Sequence, residues 1–222
     1  MYYVWRSSER FRILNWANDK EYYNANIFSD CMPINELWKP YPMVFETSKK
    51  EISDFPCSTS SFPAISSRAL RHLRGLIEPH VEILPLNIVN TEDVYFGLNV
   101  LKIYDVDYAR SVLSGSMVRK SVDSLHFSNV VIHVFPDDVL PESPIFRIKI
   151  TKHFRIYVSD EFRSVVETNG LTGFEFTEEM RYRTGPTLGE FIDWNGRAYR
   201  TDSHGVPYKY DSVSTNNECR GN

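Results

Sequence analysis

The eighteen residues "SDEFRSVVETNGLTGFEF", 159 to 176, leave the chain least freedom. Ser159 is a natural N-cap, and Asp160 and Glu161 follow where the helix dipole favours negative charge. Phe162, Val165 and Val166 share one stripe of a short helix. Gly170 stops it, because glycine alone adopts the left-handed cap conformation at no steric cost, and "GFEF" then alternates as a strand would. The preceding segments "IFRIKI" and "HFRIYV" alternate too. Phe146, Ile148 and Ile150 form one set and Phe154, Ile156 and Val158 another, against Arg147, Lys149 and Arg155. A half-buried antiparallel pair turning near Thr151 and Lys152, feeding a helix and a further strand, is therefore expected.

The same signals recur upstream. "SSRALRHLRGLIEPH" offers Ser66 or Ser67 as a cap, then Ala69, Leu70, Leu73, Leu76 and Ile77 at intervals of three and four, with Gly75 and Pro79 to end the helix. Its other face carries Arg68, Arg71 and Arg74, which reads as solvated helix surface more readily than as an anion site. Strands are expected at "MYYVW", at "VEILPL" (81–86), along "VYFGLNVLKIYDV" (94–106) and at "NVVIHVF" (129–135), all β-branched or aromatic. Residues 54–65 hold two prolines and several Ser and Thr, so they run extended or as a loop. The expected class is α+β: a mixed, largely antiparallel sheet with a few short helices packed on it. Three stretches are distinguished: 1–53 as an N-terminal α/β part of the same domain, 54–180 as its core, and 181–222 as an extension with a polar, disordered tail, in which "TLGEFIDWNGRAYR" forms a short helix or hairpin.

Bulk properties exclude more than they identify. With 222 residues and 42% apolar side chains, 14 Phe and 13 Tyr among them, the chain buries a substantial core. A net charge of −4 marks neither a nucleic-acid binder nor a strongly acidic mimic. Cys31, Cys57 and Cys219 are odd in number and far apart, which argues against a disulfide framework or zinc site and fits a reducing cytoplasm. The start lacks the apolar core of a signal peptide, and no apolar run reaches membrane-spanning length, so no membrane association is expected.

Chemistry-bearing patterns are sparse. Phosphate loops, nucleophile elbows and H-E-x-x-H pairs are absent, and no cofactor is expected. His126 and His133 stand seven apart about a strand, which puts them on opposite faces and argues against a shared metal. Asp105 and Asp107 share one side of an extended segment and, with a histidine, define an alternative reading as a small hydrolase-like enzyme, although a solvated strand end is the plainer account. Asp202, Ser203 and His204 are too close in sequence for a triad and read as a turn. Two acidic loops remain, Asp137, Asp138 and Glu142 in the first and Glu175, Glu178 and Glu179 in the second. If they converge, they make a patch that steers a basic partner. Trp38, Tyr41, Trp194, Tyr199, Tyr208 and Tyr210 are the aromatic types that anchor interfaces, with core packing as the plainer role.

The run "PAISSRALRHL", "VEILPL", "YFGLNVLKIYDVDYARS", "IFRI" and "IYVSDEFRSVVETNGLTGFEF" resembles, in order as well as in wording, a bacterial immunity-protein family of polymorphic toxin systems, of the type often encoded beside Ala-His-His nuclease toxins. It covers residues 54–176, and Ser66 or Ser67, Leu84, Pro85, Asn99, Asp107, Ser159, Asp160, Gly170, Leu171, Gly173 and Phe176 stand at the family's places. The resemblance implies a non-enzymatic cytoplasmic protein that binds a cognate toxin, a nuclease by first choice, and blocks self-intoxication without touching nucleic acid itself. A toxin or effector domain is the remaining alternative. The matched residues account for a scaffold, so the contacts are expected in the loops and unmatched ends.

Overall fold

The computed structural model describes residues 1–18, 31–48, 50–59, 62–106, 112–114, 129–135, 141–148, 155–177, 179–180, 182–184, 190–192, 198–201 and 207–209. The fold is α+β, with mostly antiparallel strands and two α-helices among the described residues. The chain divides into two compact units, residues 1–105 with 141–180 and residues 106–140 with 181–222.

In the first unit the elements run β1 (Tyr2–Val4), β2 (Leu14–Trp16), β3 (Pro42–Phe45), β4 (Ala64–Ser66), α1 (Ser67–Ile77), β5 (Val81–Pro85), β6 (Asn87–Ile88), β7 (Tyr95–Val100) and β8 (Ile103–Tyr104). After β9 (Val112–Ser114) and β10 (Asn129–Phe135) of the second unit come β11 (Ile145–Ile148), β12 (Ile156–Ser159) and α2 (Asp160–Thr168) of the first. They make three sheets ordered β1-β12-β11-β8, β4-β7-β5 and β2-β3-β6. The second unit adds β13 (Tyr182–Thr184), β14 (Glu190–Ile192), β15 (Ala198–Thr201) and β16 (Pro207–Lys209), in sheets β13-β10-β9 and β14-β15-β16.

β7 explains how the first unit is layered. Successive side chains of a strand point to opposite faces. Phe96, Leu98 and Val100 enter a core with Leu70, Leu73 and Ile77 of α1, Phe162 and Val166 of α2, and Ile145 and Val158 of the four-stranded sheet. Tyr95, from the opposite face, enters a second core with Leu14, Trp16, Met43, Phe45 and Leu84. Gly97 shares that face, and a Cβ there would sit 2.9 Å from the Phe62 ring, so the position has no room for a side chain. The expected long strand over 94–106 is interrupted: Leu101 and Lys102 both turn their N–H groups to His80 O, and the chain re-enters pairing as β8 in a different sheet.

Both helices start as their sequences require. Ser66 rather than Ser67 caps α1, its Oγ accepting from Ala69 N–H at 3.0 Å, and Ser159 caps α2 by accepting from Phe162 N–H at 3.2 Å. α2 closes with Gly170 N–H on Glu167 O and Leu171 N–H on Val166 O, with Gly170 at φ +55°, a Schellman stop. Gly75, in contrast, lies inside α1, which ends at Ile77 in a 3₁₀ turn carrying Pro79. A Cβ on Gly75 meets nothing within 4 Å. Gly75→Ala is therefore expected to stabilise the protein by about 0.5–1 kcal/mol, read as a raised urea midpoint at constant slope.

The antiparallel pairing of "IFRI" with "IYVS" is present, Ile145 facing Val158 and Arg147 facing Ile156. The half-buried pattern expected of it is not: all four residues of β11 are buried, and Arg147 is 1% exposed on the face that Ile145 also occupies. Burial pushes the Arg147 guanidinium below its ordinary value, with the Cys31 thiol acting in the opposite sense. The proposed turn at Thr151 and Lys152 lies outside the described residues. "GFEF" forms no regular strand; Phe174 and Glu179 meet the N-terminal segment through isolated bridges with Ser7 and Tyr3.

His80 gives the unit a pH dependence. Burial first, and the Lys102 charge second, hold its imidazole below the ordinary 6.5. The fold thus favours the neutral ring, so this contribution is complete above about pH 6.5 and is lost as pH falls through the depressed folded value. His80→Gln is expected to flatten that part of a stability-versus-pH profile measured by urea unfolding.

Candidate partner-binding surface

Residues beside Glu142 and Glu179, one from each acidic loop singled out in the sequence, both attach to Tyr2. Tyr2 Oη donates to Pro141 O, immediately before Glu142, and Tyr2 O accepts from Met180 N–H at 2.8 Å, immediately after Glu179. Glu142 and Glu179 are exposed. Glu175 is held on the neighbouring stretch by an ion pair with Arg6 Nε at 3.7 Å and by its N–H on Arg6 O at 2.9 Å. Asp137, Asp138, Glu178, Trp194 and Tyr210 lie outside the described residues. Tyr199 and Tyr208 fall in β15 and β16, where Tyr199 pairs with Lys209 and Tyr208 with Arg200.

Other candidates resolve toward packing. Trp38 donates from Nε1 to Pro85 O at 2.8 Å and packs edge-on against Phe62, and Tyr41 packs against Trp16, so both serve the second core. His133 is buried in β10, while His126, Asp107, Asp202, Ser203 and His204 lie outside the described residues. Among the described residues no group of three or more His, Cys, Asp or Glu side chains is placed to hold a metal ion. No helix there is long and apolar enough to cross a membrane.

A dense polar arrangement among the described residues centres on Asp54, at the start of the stretch read from sequence as extended or loop. Its side chain is 7% exposed. Oδ1 accepts from Ser66 Oγ at 2.6 Å, and Oδ2 accepts from Arg68 Nη1 at 2.9 Å and Thr172 N–H at 2.9 Å. The capping hydroxyl of α1 is thus itself held by a carboxylate. Arg68, read in the sequence as solvated surface, instead bridges Asp54 to Asn169 O at 2.9 Å and Gly170 O at 3.2 Å. Phe55 N–H on Thr172 O and Asp54 N–H on Thr172 Oγ1 complete a clasp between residues 54–55 and the loop after α2.

No family model matches the chain, and no curated protein matches it.

Beside the clasp lies an open cleft of about 230 Å³, lined by Ser53, Asp54, Ser67, Asp93, Val94 and Tyr95 among others. Tyr95 Oη donates to Ser53 O at 2.9 Å, and burial holds its phenol well above the ordinary value. The cleft's outer wall is the turn joining β6 to β7. Asn90 fixes that turn by clamping Phe45 from both sides, accepting its N–H at 2.9 Å and donating to its O at 2.7 Å. Val94 O accepts from Ser67 N–H at 2.8 Å, and Val89 N–H donates to Met43 O at 2.9 Å. Val89 and Val94 are nevertheless 59% and 54% exposed. Sequence reasoning passed over this turn; the run Asn90, Thr91, Glu92, Asp93 between two apolar segments is the signal that marks it.

Proposed function

We propose that this protein is an immunity protein, a non-enzymatic cytoplasmic inhibitor that binds the toxin domain of a polymorphic toxin system, a nuclease by first choice, and protects the producing cell and its kin. The reading is carried by where the family-like residues fall. Ser66 and Ser159 cap the helices, Gly170 and Gly173 take positive φ, Leu84 and Leu171 are buried in the cores, and Asn99 is wholly buried. Pro85 and Asp160 are exposed, so the support comes from the capping serines, the positive-φ glycines and the buried Leu84, Asn99 and Leu171, which sit where the backbone admits few alternatives. They account for a framework, and inhibition is assigned to the surface it presents.

Binding alone suffices for such a role. An interface of ordinary size with a few buried anchors holds an enzyme inactive without any catalytic group. A nuclease carries cationic side chains for phosphate, and acidic groups such as Glu142, Glu175 and Glu179 on a chain of net charge −4 complement them. The test is co-expression in a bacterial host with the toxin domain encoded beside the gene. Survival and a co-purifying complex are expected, whereas continued killing with no complex would refute the proposal.

A further inference from the structure

We infer that the outer edge of β5 is where an extended segment of the partner protein adds as a further strand; this rests on the immunity reading above. β5 pairs with β7 on one side only. In an antiparallel ladder, residues alternate between turning their N–H and C=O groups toward the neighbouring strand and away from it. Leu101 N–H donates to His80 O at 2.9 Å and Leu86 N–H to Tyr95 O at 3.0 Å, which puts His80, Glu82, Leu84 and Leu86 in the set that faces β7. Val81, Ile83 and Pro85 therefore turn their main-chain groups outward. Pro85 O meets Trp38 Nε1 there at 2.8 Å, whereas the outward N–H and C=O groups of Val81 and Ile83 have no hydrogen-bond partner among the described residues. Such a row of alternating donors and acceptors is matched by another extended backbone.

The side chains around this edge are apolar on both faces. Ile83 is half-buried at the rim of the first core. On the other face the segment from Met32 to Trp38 is fixed in place: Glu82 accepts from Ile34 N–H at 2.8 Å and Asn35 N–H at 3.1 Å, Asn99 Nδ2 donates to Met32 O at 2.8 Å, and Trp38 is held at Pro85. Yet this segment leaves Leu37 74% and Met32 63% exposed, more than any other large apolar side chain described. A segment added to β5 thus has apolar surface to cover on each side, and its chemistry is that of a strand buried on both faces, with few charges. A second copy of this chain is a poorer occupant. The antiparallel self-pairing that uses every free group sets Val81 against Ile83 and places Glu82 directly opposite its own counterpart, where like charges are destabilising.

The experiment is amide hydrogen exchange, read residue by residue by NMR, on this protein alone and bound to the purified, catalytically inactivated toxin domain from the neighbouring reading frame, with variant affinities from isothermal titration calorimetry. Ile83→Pro removes an outward N–H that the fold does not use, Ile83→Val keeps it, and Leu37→Lys puts a charge on the apolar flank; thermal unfolding checks that each protein is folded. Exchange at Ile83 is expected to slow at least tenfold in the complex. Ile83→Pro and Leu37→Lys are each expected to weaken binding at least tenfold, with Ile83→Val within twofold of wild type. Should the proline variant fail to fold, exchange in the wild-type complex decides. A complex in which the Ile83 amide exchanges as fast as in the free protein, or which Ile83→Pro and Leu37→Lys both form within twofold of wild-type affinity, overturns strand addition alone. Protection at Ile83 that grows with protein concentration and a doubled mass, without the toxin domain, gives the edge to a second copy and overturns it as well. Wild type failing to bind the toxin domain overturns the immunity reading, and the docking site with it.

Discussion

Replacing Asp54 with alanine is expected to destabilise the first unit by about 4 kcal/mol. The carboxylate accepts from Ser66 Oγ, Arg68 Nη1 and Thr172 N–H, and hydrogen bonds to a charged group contribute roughly 1.5–3 kcal/mol each. The Arg68 share is discounted, because its side chain is 52% exposed and water replaces the lost partner. The loss propagates along a specific route. Without Asp54, Ser66 Oγ is no longer oriented toward Ala69 N–H, and the loop carrying Thr172 loses its main anchor to residues 54–55. Hydrogen exchange should therefore accelerate at Ala69 and Thr172 before it changes in the helix centres. Asp54→Asn, which keeps one acceptor oxygen and adds a donor, should fall between wild type and alanine. An alanine variant with an unchanged urea midpoint would mean that the clasp is energetically idle.

Gly173→Ala should be of similar severity for a different reason. Gly173 stands at φ +91°, where an L side chain is strained, and a Cβ would lie 2.3 Å from Ser53 Oγ, 2.5 Å from Ser53 Cβ and 3.0 Å from Phe55 O. Backbone strain of about 1–3 kcal/mol and an overpacking cost of about 1–3 kcal/mol together predict a loss near 4 kcal/mol. The two parts separate by experiment. Ser53→Gly in the Gly173→Ala background removes the contacts with Ser53 but neither the strain nor the 3.0 Å approach to Phe55 O, so it should recover part of the lost stability in urea unfolding, less than half. Gly170, also at positive φ but with nothing within 4 Å of a Cβ, supplies the control: its alanine variant carries the strain alone.

These two positions show what a sequence reveals and what it withholds. The unit from Ser159 to Gly170 was legible because each signal acts on a neighbour three or four residues away: cap on Phe162, stop on Glu167 and Val166. Gly173 entered the sequence reading only at the head of the alternating "GFEF" and as a place matched by the family resemblance; what requires a glycine there, Ser53, is remote in sequence. Asp54, the first residue of a stretch read only as extended or loop, carried no mark of its own because its partners lie 12, 14 and 118 residues away. Arg147 misled for a related reason. Alternation fixes which residues share a face of a strand but not whether the other face is covered, and β11 is buried on both. The break after β7 depends on His80 O, again a distant acceptor. Of the acidic loops, the attachment to Tyr2 at Glu142 and Glu179 emerges only from the pairing of β1, while the β6–β7 turn carried a local signal that pointed to a turn.

The clasp at Asp54 also sets a timetable for the protein in the cell. Its closing bond, from Thr172, comes 118 residues after the acceptor. At ribosomal speeds of about 5–20 residues per second, Asp54 waits roughly 6–24 s for its partner to be synthesised. β1 waits still longer in sequence terms, because its partner β12 pairs Tyr2 with Ser159. During that interval α1 and the strands around it have no α2 to pack against, so the first unit completes its cooperative structure only after residues 141–180 have been made. The topology thus sets a delay between the synthesis of Asp54 and the first folded copy of this unit, one that lengthens directly as translation slows.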